Sequence, residues 1–185
     1  MRTCSRTLSR AAIMVALLIA VLARPTLAAP AQPCTTVCYV DANTGNDAND
    51  GFAPATAKKT IQAGVNQVSV GGTVNVAAGV YAENVIVNKS LTINGANAGV
   101  SPNDPSTPLT ANPARGPESE VTVTGGNQAF RVQAANVTID GFKFTDSAVA
   151  QANVQSPIIG AGGNFGGDAP GVKILNNLFY QTNRM

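Results

Sequence analysis

Three short segments of the chain repeat one pattern, and this repeat restricts the possible fold more than any other feature. In each segment an aliphatic residue stands two positions before an isoleucine, and a turn former stands two positions after it. The segments are SLTINGAN from Ser90, NVTIDGFKF from Asn136 and GVKILNNLF from Gly171. The turn formers are Gly95, Gly141 and Asn176. Short β-branched runs predict strands, and the turn formers predict tight bends after them.

Further short strands are predicted between these segments. They are TVNV from Thr73, NVIV from Asn84, EVTV from Glu120, AFRV from Ala129 and a weaker PII at Pro157. Strands at this spacing fit either an antiparallel sandwich or a coiled solenoid. The repeated unit is a strand with a bend rather than a hairpin, which favours the solenoid. We therefore predict that the segment from Asn136 pairs in parallel with the other two, and that Asn176 and Asn177 hydrogen-bond along the stack.

Residues 1–28 have the pattern of a secretory signal peptide. A basic start is followed by an apolar run from Ala11 to Ala23, which is too short to span a bilayer. Cleavage is predicted after Ala28, with a second small-residue site at Ala29 to Ala31. An uncleaved membrane anchor is the alternative. We expect a protein that is secreted or held at the cell surface, without a membrane span in its mature form.

Removal of this segment changes the net charge. The whole chain has 12 basic and 10 acidic residues, a net charge of +2. Arg2, Arg6, Arg10 and Arg24 precede the cleavage site, so the mature chain keeps eight basic against ten acidic residues and has a net charge of −2. No basic excess remains to indicate a nucleic acid or an anionic membrane surface as partner.

Cys34 and Cys38 remain after cleavage, in the sequence CTTVC. Two cysteines in an exported chain most often form a disulfide. The loop that they would close is small, so we expect the bond to pin an N-terminal tail, residues 29–40, rather than to stabilise the fold. A two-thiol metal site is disfavoured because the chain has no histidine to complete it.

The segment from Tyr39 to Ala96 contains a series of motifs. They are YVD, GNDANDG, KTIQ, GGTV, AAGVYAENV and VNKSLTING. This series resembles the N-terminal part of right-handed parallel β-helix proteins of the pectin lyase-like superfamily. The resemblance implies an all-β solenoid over residues 41–185. The superfamily includes polysaccharide lyases, hydrolases, esterases and surface adhesins, so the resemblance alone does not imply one activity.

The two ends of such a solenoid need cover. KKTIQAGVNQV places Ile61, Val65 and Val68 on one face of a short helix, which predicts an N-terminal cap; a surface helix of another fold is the alternative. At the other end, LNNLFYQTN is a repeat in progress, and only a few coils are present. We expect either a fragment of a longer protein or an open edge that docks on a partner or on a copy of itself.

The stretch from Asp41 to Gly51 is rich in oxygen ligands. Asp41, Asp47, Asn49 and Asp50 could bind a structural calcium ion, although the spacing departs from the EF-hand pattern. The alternative is that these side chains form turns by bonding to their own backbone. No other cofactor is predicted.

No catalytic constellation is visible in the sequence. Because the chain has no histidine, a Ser-His-Asp or Cys-His site is excluded. The remaining acids are scattered, no carboxylate pair for glycoside hydrolysis is identified, and the motifs of pectin esterases, polygalacturonases and pectate lyases are absent. We predict a non-catalytic module for surface attachment or binding of extracellular polysaccharide. The alternatives are a plain structural scaffold and the N-terminal fragment of a polysaccharide lyase, hydrolase or pectin esterase with its catalytic coils elsewhere.

Overall fold

The computed structural model describes residues 33–107, 110–123, 128–146, 159–161 and 169–181, which lie in one compact unit, Gln32–Met185. The signal peptide predicted over residues 1–28, with its cleavage site at Ala28, lies outside the described residues. Among the described residues, one α-helix, α1, covers Ile61–Gln67, and a 3₁₀ turn covers Pro54–Thr56. No helix within the described ranges has the length and apolar character to cross a membrane.

Strands make up most of the regular structure. They are β1 (Val37–Val40), β2 (Thr73–Val76), β3 (Gly79–Tyr81), β4 (Val85–Val87), β5 (Thr92–Asn94), β6 (Ser119–Val123), β7 (Phe130–Val132), β8 (Thr138–Asp140), β9 (Phe142–Asp146), β10 (Ile159–Ala161), β11 (Lys173–Leu175) and β12 (Leu178–Gln181). Every pairing between these strands is parallel.

The strands form three sheets. Sheet A has the order β1-β2-β5-β8-β11, sheet B the order β3-β6-β9-β12, and sheet C the order β4-β7-β10. From β2 onward the chain passes through sheets A, B and C in turn and then repeats that order; we call one such passage a round. Each strand therefore pairs with strands of the same sheet in the adjacent rounds.

The predicted pairing of the three repeated segments is confirmed. Ile93, Ile139 and Ile174 align in one register across β5, β8 and β11. The segment Asn136–Phe144, however, is not one strand with a glycine in its middle. Its first half belongs to sheet A and its second half to sheet B, because Gly141 turns the chain between them.

The corner between sheets A and B depends on glycine. Gly141 has a φ of +76°, in the left-handed region that other residues rarely adopt. A Cβ atom at this position would lie 2.0 Å from the backbone nitrogen of Ala98, and a Cβ at Gly95 would lie 2.5 Å from the carbonyl oxygen of Gly141. Successive rounds therefore touch backbone to backbone at this corner.

Two asparagines form the same corner in the next round. Asn176 has a φ of +51°, and its Nδ2 donates to Oδ1 of Asp140 at 2.8 Å. Nδ2 of Asn177 donates to the carbonyl of Ile139, and its Oδ1 accepts the backbone N–H of Phe142. The predicted hydrogen bonds along the stack are present, although an aspartate rather than another asparagine contacts Asn176.

The core lies between the three sheets. The inward side chains of sheet A stack Cys38, Val74, Ile93 and Ile139 in register, all fully buried. A cluster of three phenylalanines from sheets B and C fills the space opposite, with ring centroids 5.7 to 5.9 Å apart: Phe130, Phe142 and Phe144. Large aromatic surfaces packed in this way are a main source of stability in a small domain.

Helix α1 packs against β1, β2 and β4, and its role as the N-terminal cap of a solenoid stays a prediction. Ile61 and Val65, together with Val68 just after the helix, are buried in the core cluster. Thr60 is the N-cap, and its side chain accepts the N–H of Ala63. The apolar spacing and the N-cap threonine explain why this short segment is helical.

The first strand, β1, lies within the segment assigned to an N-terminal tail, and it pairs with β2 from Val37 to Val40. Cys34 and Cys38 form a disulfide, and both side chains are fully buried. Cys38 occupies an inward position next to Val74 in the register. The disulfide is therefore part of the core and does not merely pin a tail.

Two insertions interrupt the rounds. The insertion between β5 and β6 is held down by Arg115, whose side chain is 6% exposed and donates to the carbonyls of Val100 and Asn176. Most of the second insertion, between β9 and β11, lies outside the described residues. Strands β11 and β12 leave Ile174, Leu175, Phe179 and Tyr180 between 42% and 53% exposed. It stays a prediction that further strands or another molecule pair with the exposed edge formed by β11 and β12.

Candidate functional site

The four side chains predicted to bind calcium all hydrogen-bond to other groups of the protein. Asp41 accepts the N–H groups of Asn43 and Thr44 and the hydroxyl of Thr44 at 2.7 Å. Asp47 accepts from Lys59 and Thr60, and Asp50 accepts from Phe52 and Thr56. Asn49 instead donates its Nδ2 to the carbonyl of Ala57. These contacts favour the turn interpretation.

A lysine occupies the middle of this loop. Lys58 is 6% exposed, and its Nζ donates to the carbonyl of Asn49 at 2.7 Å and to that of Asp47 at 3.2 Å. The ammonium group thus takes carbonyl oxygens that a calcium ion would otherwise need. Within the described ranges, no three His, Cys, Asp or Glu side chains converge as a metal site would require.

The hydrogen bonds also set the charge of the loop. The hydroxyl of Thr44 holds the pKa of Asp41 below its ordinary value. Burial acts to raise the pKa of Asp47, but the hydrogen bonds from Thr60 and Lys59 outweigh it and lower that pKa. The hydroxyl of Thr56 lowers the pKa of Asp50. The three carboxylates are therefore ionised near neutral pH, and each is used to hold a turn.

Glu83 is the acid most changed by burial, yet its position is structural. Its two oxygens accept the first N–H groups of α1, from Ile61 at 2.9 Å and from Gln62 at 3.1 Å. Burial raises the pKa of this carboxyl group above its ordinary value. Because both oxygens accept N–H groups at the start of the helix, we assign Glu83 to stabilising that end of the helix.

A pocket formed by described residues lies beside the outward face of sheet A. It has a volume of about 310 Å³ and is lined by Tyr39, Asn75 and Asn94, with Pro54 and Gly95 at its sides. This volume lies at the low end of the range for small-molecule sites. An aromatic ring with two amides is chemistry suited to a sugar, because the ring packs on C–H groups while the amides pair with hydroxyls. We call it the Tyr39 pocket.

The parallel register builds this pocket. Tyr39, Asn75 and Asn94 are neighbours on three successive strands, β1, β2 and β5. Nδ2 of Asn94 donates to Oδ1 of Asn75 at 3.2 Å, which orients both amides. In the part of the chain that is described, the Tyr39 hydroxyl, Nδ2 of Asn75 and Oδ1 of Asn94 have no protein partner. These groups are therefore available to a ligand.

These three residues were not predicted as a site from the sequence. A sequence pattern that could have indicated them is present in strands β2, β5 and β8, which read TVN from Thr73, TIN from Thr92 and TID from Thr138. The outward residues of this T-x-N repeat are as regular as the inward aliphatic ones. The pocket at one end of the repeat depends on Pro54 and Gly95, which come from separate loops, and no local pattern brings them together.

Comparisons with protein-family models, with curated proteins and with solved structures gave no match for this chain.

Proposed function

We propose that this chain is a non-catalytic glycan-binding module of a secreted or cell-surface protein, built as a right-handed parallel β-helix like those of the pectin lyase-like superfamily. The cyclic order of sheets A, B and C supports a solenoid. The motifs from Tyr39 to Ala96 support the superfamily, and the signal pattern of residues 1–28 supports export. Solenoids present long, rigid outer faces, which suits attachment to a polymer.

The observation that carries the binding function is the Tyr39 pocket. It combines one accessible aromatic ring with two oriented amides that have hydrogen-bonding groups to spare. A titratable side chain in the lining, Asp41, already accepts three hydrogen bonds from its own turn. The lining thus offers recognition groups without an acid and base pair, which is consistent with binding and not with hydrolysis.

The test is a direct binding measurement with the full chain. Neutral oligosaccharides (cello-, xylo- and manno-oligosaccharides) and oligogalacturonides would be screened on an array, and positive probes would be titrated by calorimetry. We expect Tyr39→Ala to weaken binding of a positive probe about tenfold, the effect of losing about 1.4 kcal/mol of stacking and contact. The control is Tyr180→Ala, which removes an exposed tyrosine of β12 outside the pocket.

Two results would overturn the proposal. One is that no probe binds to the folded chain. The other is that Tyr39→Ala and Tyr180→Ala have equal effects on binding. Thermal unfolding of each variant, followed by circular dichroism, separates a lost contact from a lost fold.

A further inference from the structure

A row of threonines lies beside the Tyr39 pocket on the outer face of sheet A. Thr73, Thr92 and Thr138 align in register on β2, β5 and β8, and all three are half-buried. Within the described residues, none of their hydroxyls hydrogen-bonds to a protein group. A regular set of unpaired hydroxyls on a rigid face is available to bind an external ligand.

A second row runs alongside the first, two residues further along each strand. It consists of Tyr39, Asn75, Asn94 and Asp140, in register on β1, β2, β5 and β8. It ends at Asp140, whose carboxylate accepts the N–H of Gly99 and the amide of Asn176. Together the two rows make a polar strip across the strands, and the Tyr39 pocket lies at one end of it.

The strip has a repeat fixed by the backbone. Neighbouring strands of a sheet lie about 4.8 Å apart, so β2, β5 and β8 each present a threonine hydroxyl and an amide or carboxylate at the same spacing, next to Tyr39 on β1. From β1 to β8 the strip covers three such steps, or roughly 14 Å. A partner that itself repeats, with hydroxyl groups at each unit, can make the same pair of contacts at successive strands.

The charges along the strip favour a neutral partner. The Tyr39 pocket contains Asp41 and no lysine or arginine, and Asp140 stands at the other end of its row. The nearest basic residue in the register is Lys173, which follows Thr138 on β11 and is exposed. An acidic polymer would place its carboxylates near Asp41 and Asp140, which is unfavourable.

We propose that the ligand is a linear neutral polysaccharide that lies across strands β1, β2, β5 and β8 of sheet A. One sugar occupies the Tyr39 pocket, and the following sugars contact the two rows. This inference rests on the proposed function and specifies its ligand class and direction. Individual hydroxyl and amide contacts contribute little each, so the affinity comes from several sugars bound at once.

The experiment compares short and long probes on the full chain. Cello-, xylo- and manno-oligosaccharides of two and of six sugars would be titrated by calorimetry, with hexagalacturonate as the acidic probe. We expect a hexasaccharide to bind at least tenfold more tightly than its disaccharide. Thr138→Val, which removes the hydroxyl of the row that lies on β8, three strands from Tyr39, should weaken the hexasaccharide several-fold and leave the disaccharide unchanged. Thr122→Val makes the same change on the outer face of sheet B and should alter neither.

The outcomes separate this inference from the proposed function. If affinity is independent of length while Tyr39→Ala still weakens binding about tenfold, the pocket takes a single sugar and the extended ligand is refuted. Tighter binding of hexagalacturonate than of every neutral hexasaccharide refutes the neutral class. If no probe binds, the proposed function itself fails and the inference fails with it.

Discussion

Replacing Gly141 with alanine tests the central feature of the fold, the close contact of rounds at the corner between sheets A and B. Two separate costs act at this position. The residue has a φ of +76°, and an added Cβ would lie 2.0 Å from the backbone nitrogen of Ala98. Both costs raise the free energy of the folded state only.

Two other glycines measure these costs one at a time. Gly99 has a φ of +79°, but no atom lies within 4 Å of an added Cβ. Gly99→Ala should therefore lower the free energy of unfolding only through the unfavourable φ, by about 1 to 2 kcal/mol. Gly95 does not have a positive φ, but its Cβ would lie 2.5 Å from the carbonyl oxygen of Gly141. Gly95→Ala should therefore lower the free energy of unfolding only through this steric clash, by about 1 to 3 kcal/mol.

Gly141→Ala should cost about the sum of the two, roughly 2 to 5 kcal/mol. This is a large part of the 5 to 15 kcal/mol that stabilises an ordinary domain. The free energy of unfolding would be measured by urea titration with circular dichroism, and soluble yield would be recorded if the variant does not fold. A loss for Gly141→Ala no greater than that for Gly99→Ala would refute the backbone-to-backbone contact.

Three further predictions concern the N-terminal part. Burial raises the pKa of Glu83 above 4.5 in the folded state, so the free energy of unfolding should fall as the pH rises from 4.5 through the folded pKa. In Glu83→Gln this fall in stability should be absent. Thermal unfolding of both proteins between pH 4 and 7 would show the difference. Because the Lys58 ammonium group hydrogen-bonds two loop carbonyls, we expect EDTA to leave the unfolding temperature of the wild type unchanged. Lys58→Met should lower the free energy of unfolding by about 1 to 3 kcal/mol. An unfolding temperature that falls by several degrees in EDTA would instead establish a calcium site. In urea titration, the Cys34→Ala and Cys38→Ala double variant should lose roughly 2 kcal/mol of the free energy of unfolding. The Cys34→Ser and Cys38→Ser double variant should lose more, because it would bury two hydroxyl groups in the core. Equal losses for the two variants would mean that these positions are not in the core.

The regular part of the fold was readable from the sequence because period-two alternation has a direct physical cause. The run from Thr73 was predicted as a strand and is one over Thr73–Val76, and the run from Ala129 contains Phe130–Val132. Parallel pairing followed from the common pattern around Ile93 and Ile139. Each of these predictions needs only residues that lie close together in the sequence.

Other features depend on contacts between distant parts of the chain. β1 is short and includes Cys38 of the cysteine pair, so only its pairing with Thr73–Val76 reveals it as a strand. The role of Lys58 depends on the path of the loop, which brings the carbonyls of Asp47 and Asn49 to its ammonium group. The Tyr39 pocket likewise arises only when strands and loops from separate segments meet.

The corner between sheets A and B has a consequence for engineering. The chain makes this turn with two residues after Val76, 24 after Asn94, one after Asp140 and two after Leu175, while the register of sheet A stays the same. The number of residues in this turn can therefore change without a change in the strand register of sheet A. A foreign peptide epitope placed between Val100 and Ala114, with Arg115 kept as the anchor, would be displayed on a rigid support whose geometry does not depend on the cargo.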